Sequence, residues 1–438
     1  MEGKKQEPEE NQPLSFLACP ACDLLIKAQN VPRGHVGNCP RCRRRLIAPK
    51  ENSIERILAI TLAGLLVFFP AIGLPLLKVE ALGQENMASV IDACLAFYQN
   101  GYFLVGVMVF LTVIVIPFLN LSLLFIISLH LKFNRFHPLL PYSLRSVHHL
   151  REWGMSEIYL LGVLVSIIKV YQLAEISYRP GFFCFLILSL TTILSLTLLD
   201  RGEFWQAITR LKEDFNTTVP QKFTPPMVDD NARSSNIIHC HECELTLPSP
   251  EKITSSSCPR CNAHLHYRIP RSLQLTWALL ICSVVFLIPA NILPIMRVDT
   301  FGSPLYSTIM DGVIYFFHEK EFGIGLIIFT ASILVPVFKV IGLTIILVSI
   351  HFKTETSLRQ KAIMFRFIEF IGRWSMLDIF VIAFMAALVD FANLSSTHPA
   401  PGAFFFTLVV ISTMFAAISF DPRCLWDYHN SPLESRRS

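Results

Sequence analysis

The chain has 438 residues, 53% hydrophobic and only 16% charged, with a mean hydropathy of +0.50. A water-soluble domain carries about a quarter charged residues, so the composition excludes an ordinary soluble protein and points to a polytopic membrane protein. The net charge of +4 is small and no nucleic-acid partner is expected; Walker P-loop, GxGxxG, HExxH and GxSxG motifs are all missing. Any energy from nucleotide hydrolysis must come from another subunit, and no catalytic constellation is assigned.

Residues 1–14 form a polar tail; the opening MEGKKQEPEENQP lacks the apolar stretch of a cleavable signal, so no removable leader is expected. Residues 15–50 carry Cys19, Cys22, Cys39 and Cys42 as C-x2-C-x16-C-x2-C, and 237–268 carry Cys240, Cys243, Cys258 and Cys261 as C-x2-C-x14-C-x2-C. Two such knuckles can place four thiolates tetrahedrally around one Zn2+, as in a zinc ribbon. A lone CxxC also suits a redox dithiol. Here the pairs come as two matched sets, each containing CPRC, and no thioredoxin-like βαβ pattern surrounds them. Two structural zinc ions per chain are expected. Cys94, Cys184, Cys282 and Cys424 fall in or near apolar segments and read as packing residues.

Four apolar runs follow the first ribbon, at about 56–77, 102–131, 155–174 and 182–199, in a module at 54–200. A Pro-rich polar linker at 201–236 leads to the second ribbon. Four more runs, at about 274–296, 323–350, 377–391 and 404–420, make a module at 272–421, and a tail occupies 422–438. A span needs ~20 apolar residues, so the reading is eight transmembrane helices, with 377–391 the shortest. The halves repeat at an offset of 219–221 residues: FFPAIGLPLLKVEALG (68–83) matches LIPANILPIMRVDTFG (287–302), Pro117 matches Pro336, and REWGMSEIY (151–159) matches GRWSMLDIF (372–380).

The 132–154 connection holds four Lys or Arg residues and 351–376 holds five, while the alternate connections hold at most two. The positive-inside rule then puts both ribbons and both termini in the cytoplasm, where a reducing medium keeps thiolates free for metal. After the first helix of each module, LLKVEALG and IMRVDTFG alternate as short strands do, and 89–101 and 307–323 each show an apolar face at helical spacing. These elements suit either a docking surface or plain amphipathic loops in the headgroups.

Polar residues inside the spans are the sharper clue. Lys339 lies between about sixteen apolar-dominated residues before it and eleven after it, where a charge costs at least ~2.5–3.5 kcal/mol. Ser332 precedes it by two helical turns, and Ser412 and Thr413 lie at comparable depth in the last span. Asn120 takes the place of Lys339 in the first module, and Thr191 with Thr192 takes that of Ser412 with Thr413. Lys169 aligns with Asp390. Two roles suit Lys169: lining a lipid exit, or snorkelling to the interface. Lys339 suits either attraction of a lipid phosphate or pairing with a carboxylate such as Asp378 or Asp390.

The paired CxxC ribbons, the doubled modules and the strings IPANILP, SILVPVFKVIG, SIHFK and IGRWSMLDIF resemble the paraquat-inducible protein A family, and within it the lipophilic envelope-spanning tunnel branch. The resemblance runs over about 15–430. It implies an inner-membrane subunit of a Gram-negative phospholipid transport system, zinc in both ribbons, and a periplasmic MCE-domain protein that forms a tunnel toward the outer membrane. One departure is Gln172, where an acidic residue is expected just after Lys169. Two other classes remain beside the transporter: a structural anchor for the MCE partner without its own lipid pathway, and a membrane redox protein. The anchor leaves the intramembrane lysines unexplained. The redox reading lacks paired mid-membrane histidines, since His130 and His351 sit at span ends.

Overall fold

The structure is a computed structural model that describes residues 16–427, except 28–30, 33, 82, 172–173, 213–231, 233–236, 249–256, 301–302, 319, 321, 355 and 392–394. Gln172, the N-terminal tail, much of the linker and most of the C-terminal tail lie outside the described residues. Seven helices among those described are long and apolar enough to cross a bilayer: Ser53–Gly73, Phe103–Lys132, Pro180–Leu198, Ser272–Ile292, Gly325–His351, Leu358–Leu388 and Pro401–Ser419. The chain is an integral membrane protein.

Two spans differ from the sequence reading. The 155–174 run is a helix only over Ser156–Val170, ~22 Å long at 1.5 Å per residue, which is short of the ~30 Å hydrocarbon core. The count of eight is therefore not reached by length. The 351–376 stretch, read as a connection from its basic residues, is helical over Leu358–Gly372 and passes through a 3-10 turn at Arg373–Met376 into the helix Leu377–Leu388. Leu358, Ala362, Phe365, Ile368 and Gly372 are its buried positions, a three-and-four spacing that lays one face on the bundle, while Ile363, Phe367 and Phe370 are exposed and Lys361 and Arg366 bond to Ser349 and the Cys42 carbonyl.

Each half is built to the same plan. The alternating segments are strands: Leu77–Ala81 pairs with Gln84–Ala88 and with Glu175–Tyr178, and Met296–Thr300 pairs with Ser303–Ser307 and with Ser395–Pro399, all antiparallel. A capping box then starts each amphipathic helix, with Ser89 and Asp92 at Val90–Gln99 and with Thr308 and Asp311 at Ile309–His318. At Gly181 and Gly402 an added Cβ would come within 2.5 and 2.6 Å of the carbonyl oxygens of Leu74 and Pro294, respectively. A side chain at either position would push apart the first and last long helices of its half, which form a close pair in both.

Both long internal helices carry a π-turn, Leu111–Val115 and Thr330–Leu334, just before Pro117 and Pro336. Proline lacks an N–H and crowds the carbonyl four residues back, and a π-turn absorbs that mismatch by widening the helix locally.

The halves meet along Leu377–Leu388, which packs against Ser156–Val170 and Val90–Gln99 of the first half. Gly162 brings the backbones close at Phe380, and Tyr159 stacks edge-on against Phe380 and Phe384. The ribbons are crossed. The cysteines of the first ribbon share an apolar core with Leu343, Ile346, Leu347 and Trp426 of the second half, and Arg366 donates to the Cys42 carbonyl at 2.8 Å. The second ribbon shares its core with Leu140, Leu144 and Val147 of the first half, and there Glu242 pairs with His149 at 2.9 Å.

Candidate functional site

The four knuckles share one local geometry. The carbonyl two residues past the second cysteine accepts from the amide of the first cysteine at 2.7–2.9 Å, and the residue directly after the second cysteine, Asp23, Arg43, Glu244 or Asn262, takes a positive φ of 56–62°. Its amide donates back to the carbonyl of the first cysteine of the pair, at 2.8–3.0 Å in all four. That tight left-handed turn aims both thiols of a pair to one side.

The turns bring the two sets together as expected. In each set the four Sγ atoms lie within 4.8 Å of one another, and all eight cysteines are buried. Close approaches run between knuckles, Cys19–Cys42 at 3.6 Å and Cys22–Cys39 at 3.5 Å, then Cys240–Cys261 and Cys243–Cys258 at 3.5 Å. A tetrahedral site with ~2.3 Å metal–sulfur bonds has an S···S edge of about 3.8 Å, so the donor sets fit a four-thiolate metal centre. Each set could hold one ion. Bonds received from neighbouring thiols pull the Cys39 and Cys258 thiols well below the ordinary cysteine range.

Charged groups seal the ribbons to the bundle. Burial raises the Asp23 carboxyl above its ordinary range, against the opposing pull of Arg268 and Arg423, and Arg268 bridges Asp23 at 3.1 Å and Asp427 at 2.5 Å. Asp421 and Arg423 are both buried and bonded at 2.9 Å, and Arg423 also meets the His241 ring. Burial acts to raise Asp421, but its bonds with Arg423 prevail and hold it below the usual carboxylate range.

The second candidate site lies inside the second half. Lys339 is fully buried, and its ammonium donates to Ser375 Oγ at 3.4 Å. No carboxylate within salt-bridge range faces it among the described residues. Ser332, two turns earlier on the π-turn, donates to the Ile328 carbonyl at 2.7 Å and lies against the Asp378 carboxylate. Asp378 Oδ2 is buried without a partner. Lys339 with Ser375 thus forms a polar rung between facing segments.

The remaining candidates are more dispersed. Ser412 and Thr413 are buried but donate within their own helix, to the Leu408 and Val410 carbonyls, as such hydroxyls commonly do. Neither bonds to Lys339. Thr192 meets Ser156 at 3.0 Å in the first half. Lys169 places its ammonium 5.5 Å from the Phe316 ring centroid, across the seam between the halves. Asn120, the counterpart of Lys339, leaves Oδ1 buried without a partner, and its amide nitrogen lies 3.5 Å from where a Cβ on Gly154 would stand. Gly154 is the counterpart of Ser375, so the same contact recurs in both halves but is polar at both ends in the second alone. Ser375 was not among the sequence candidates. The exchange of Gly154 for Ser375 in the aligned WGM and WSM strings was the signal for it.

The family described as Paraquat-inducible protein A matches residues 54–209 and 273–430. The Intermembrane transport protein PqiA of Escherichia coli (strain K12) is 32% identical over 424 residues, covering 96% of this chain and 97% of that protein. The Lipophilic envelope-spanning tunnel protein A of the same strain is 34% identical over 418 residues, covering 95% and 92%. A Probable intermembrane transport protein of Haemophilus influenzae is 28% identical over 423 residues, covering 95% and 97%. No solved structure gives a significant match.

Proposed function

This chain belongs to the paraquat-inducible protein A family, and from that premise we propose that it is an inner-membrane subunit that passes phospholipid between the inner membrane and a periplasmic MCE-domain tunnel. The names of its relatives support intermembrane transport. The ribbon side of the bundle faces the cytoplasm with both termini, and the hairpin side faces the periplasm and the partner. Each ribbon holds one zinc ion, as a structural brace outside any chemistry. The domains are two ribbons, 15–50 and 237–268, and two transmembrane modules, 54–200 and 272–421.

The observation that carries the reading is Lys339, fully buried in an apolar bundle with a neutral hydroxyl as its hydrogen-bond partner. A buried cation persists when a partner offsets its desolvation, and a lipid phosphate is such a partner while the acyl chains remain in apolar surroundings. Lys339 attracts the headgroup, Ser332, Ser375 and Thr413 lie along the same interior, and Lys169 lines the outer exit. The test is lipid transfer between vesicles containing the protein and its MCE partner. Lys339→Ala should lower transfer at least tenfold while expression, metal content and partner binding stay near normal. A stable variant with full transfer would overturn the reading. Loss of folding instead would favour the anchor, in which Lys339 and Asp378 serve only to hold the bundle.

A further inference from the structure

The two halves repeat in sequence but not in how they close. In the first half the Val90–Gln99 helix packs along Leu377–Leu388 of the other half, and Phe103–Phe110 touches both that helix and Pro401–Ser419. Polar latches secure this seam. Asn86 donates to the carbonyls of Ala387, Leu388 and Asp390 at 3.1–3.3 Å, filling acceptors that a helix end leaves open. Asn100 and His398 meet at 2.9 Å.

The opposite seam has the same elements and lacks that packing. Ile309–His318 and Phe322–Phe329 pack on each other, and among the described residues neither has comparable packing on Ser156–Val170 or Pro180–Leu198. Cys94, Phe97 and Val109 belong to the main core shared by both halves. Their counterparts Val313, Phe316 and Ile328 form a small core of their own, and only Ile309, at the start of the helix, stays in the main core. Ala96 is buried at the closed seam, whereas its counterpart Tyr315 is 54% exposed. The position of Asn86 is taken by Leu305, which is 67% exposed and carries no donor for a helix end. What bridges this side is Lys169 above the Phe316 ring.

Two copies of one design in two arrangements describe two states that the design can adopt. We propose that the helices Ile309–His318 and Phe322–Phe329, held at one end by the Ser303–Ser307 strand of the sheet, are a hinged arm that swings against Ser156–Val170, as its counterpart already does on the other seam, and so gates lateral entry of phospholipid to the site around Lys339. The hinge is the π-turn Thr330–Leu334, where the helix is already widened. A small separate core makes the arm the cheaper part to move, and a ligand that binds one arrangement better shifts the balance between them. The arm rests on the lipid-transport reading for its cargo, but its motion stands on the asymmetry alone.

The test uses the full chain, with the exposed Cys282 changed to Ser, carrying Tyr315→Cys and Leu164→Cys, both at exposed positions and counterparts of Ala96 and Met385, which are buried at the closed seam. A short bis-methanethiosulfonate linker should join them, lower vesicle-to-vesicle phospholipid transfer at least tenfold, and release it again on reduction; each single variant should take reagent without loss. Restored transfer on reduction shows the protein is folded. Undiminished transfer by the linked protein would overturn the gate, as would failure to link when both single sites react. If the unlinked protein moves no lipid, the transport reading fails, and the arm is judged by hydrogen exchange. Amides of 309–318 should then exchange at least tenfold faster than those of 90–99, and equal protection would end the proposal.

Discussion

Asp421 and Arg423 show how little slack a buried charge has. Both are buried, and the guanidinium is also tied to the His241 ring of the second ribbon. Removing one partner of a buried pair leaves the other uncompensated, at roughly 3–5 kcal/mol. Asp421→Asn should therefore lower the melting temperature of the purified protein markedly, while Asp200→Asn should cost roughly 0.5 kcal/mol or less, because Asp200 accepts from the Glu203 and Lys50 amides and asparagine caps a helix about as well as aspartate. A thermal melt of both variants decides; equal losses would mean that the Arg423 pair contributes no more than a cap. Asp421 is held below its ordinary range, so its contribution is present at neutral pH and is lost as pH falls through the folded-state value. Lys339 and Ser375 illustrate what sequence leaves open at this scale. The lysine was visible as a charge in an apolar run, but nothing in the spacing could say whether a carboxylate or a hydroxyl would meet it.

At the scale of elements, the cysteine ribbons were the most legible part, because four CxxC pairs with matched spacing constrain geometry directly, and the same left-handed turn recurs in all four. Elemental analysis should give two zinc ions per chain, falling to one on changing Cys39 and Cys42 to Ser; a haem or iron–sulfur absorbance would contradict this. The strands at 77–81 and 296–300 were legible from alternation. The third strands were not: Glu175–Tyr178 and Ser395–Pro399 are short polar segments whose register is set by a partner almost a hundred residues earlier, which no local pattern encodes. The Leu358–Gly372 helix was missed for a related reason. Its basic residues satisfied a rule about loops, and its buried face became meaningful only with the bundle it lies on. Gly402→Ala should test the closeness of the helix pair, since its Cβ would come 2.6 Å from the Pro294 carbonyl oxygen. Overpacking of this kind costs ~1–3 kcal/mol, to be read as a lower melting temperature.

Over the whole molecule, the repeat was legible but the crossing of the ribbons was not. Sequence order puts each ribbon next to the module that follows it, and proximity along the chain suggests that it braces that module. Instead Cys19, Cys22, Cys39 and Cys42 pack with Leu343 and Trp426 of the second half, and Cys240, Cys243, Cys258 and Cys261 with Leu140 and Val147 of the first. Both contacts are long-range and apolar, whereas the second ribbon meets its own half through the polar Arg423–His241 contact, so an ion in each ribbon should stiffen mainly the half it does not precede. Stripping the first ribbon should then loosen the second half. With Cys39→Ser and Cys42→Ser, hydrogen exchange should rise in 358–372, where Arg366 loses the ordered Cys42 carbonyl as its acceptor, and change little in 140–150. The mirror variant, Cys258→Ser with Cys261→Ser, should raise exchange in 140–150, where His149 and Arg145 lose an ordered Glu242, and leave 358–372 protected. If each pair of substitutions instead loosened the module that follows its own ribbon, the crossed bracing would be wrong, and the ribbons would stabilise only their neighbours in sequence.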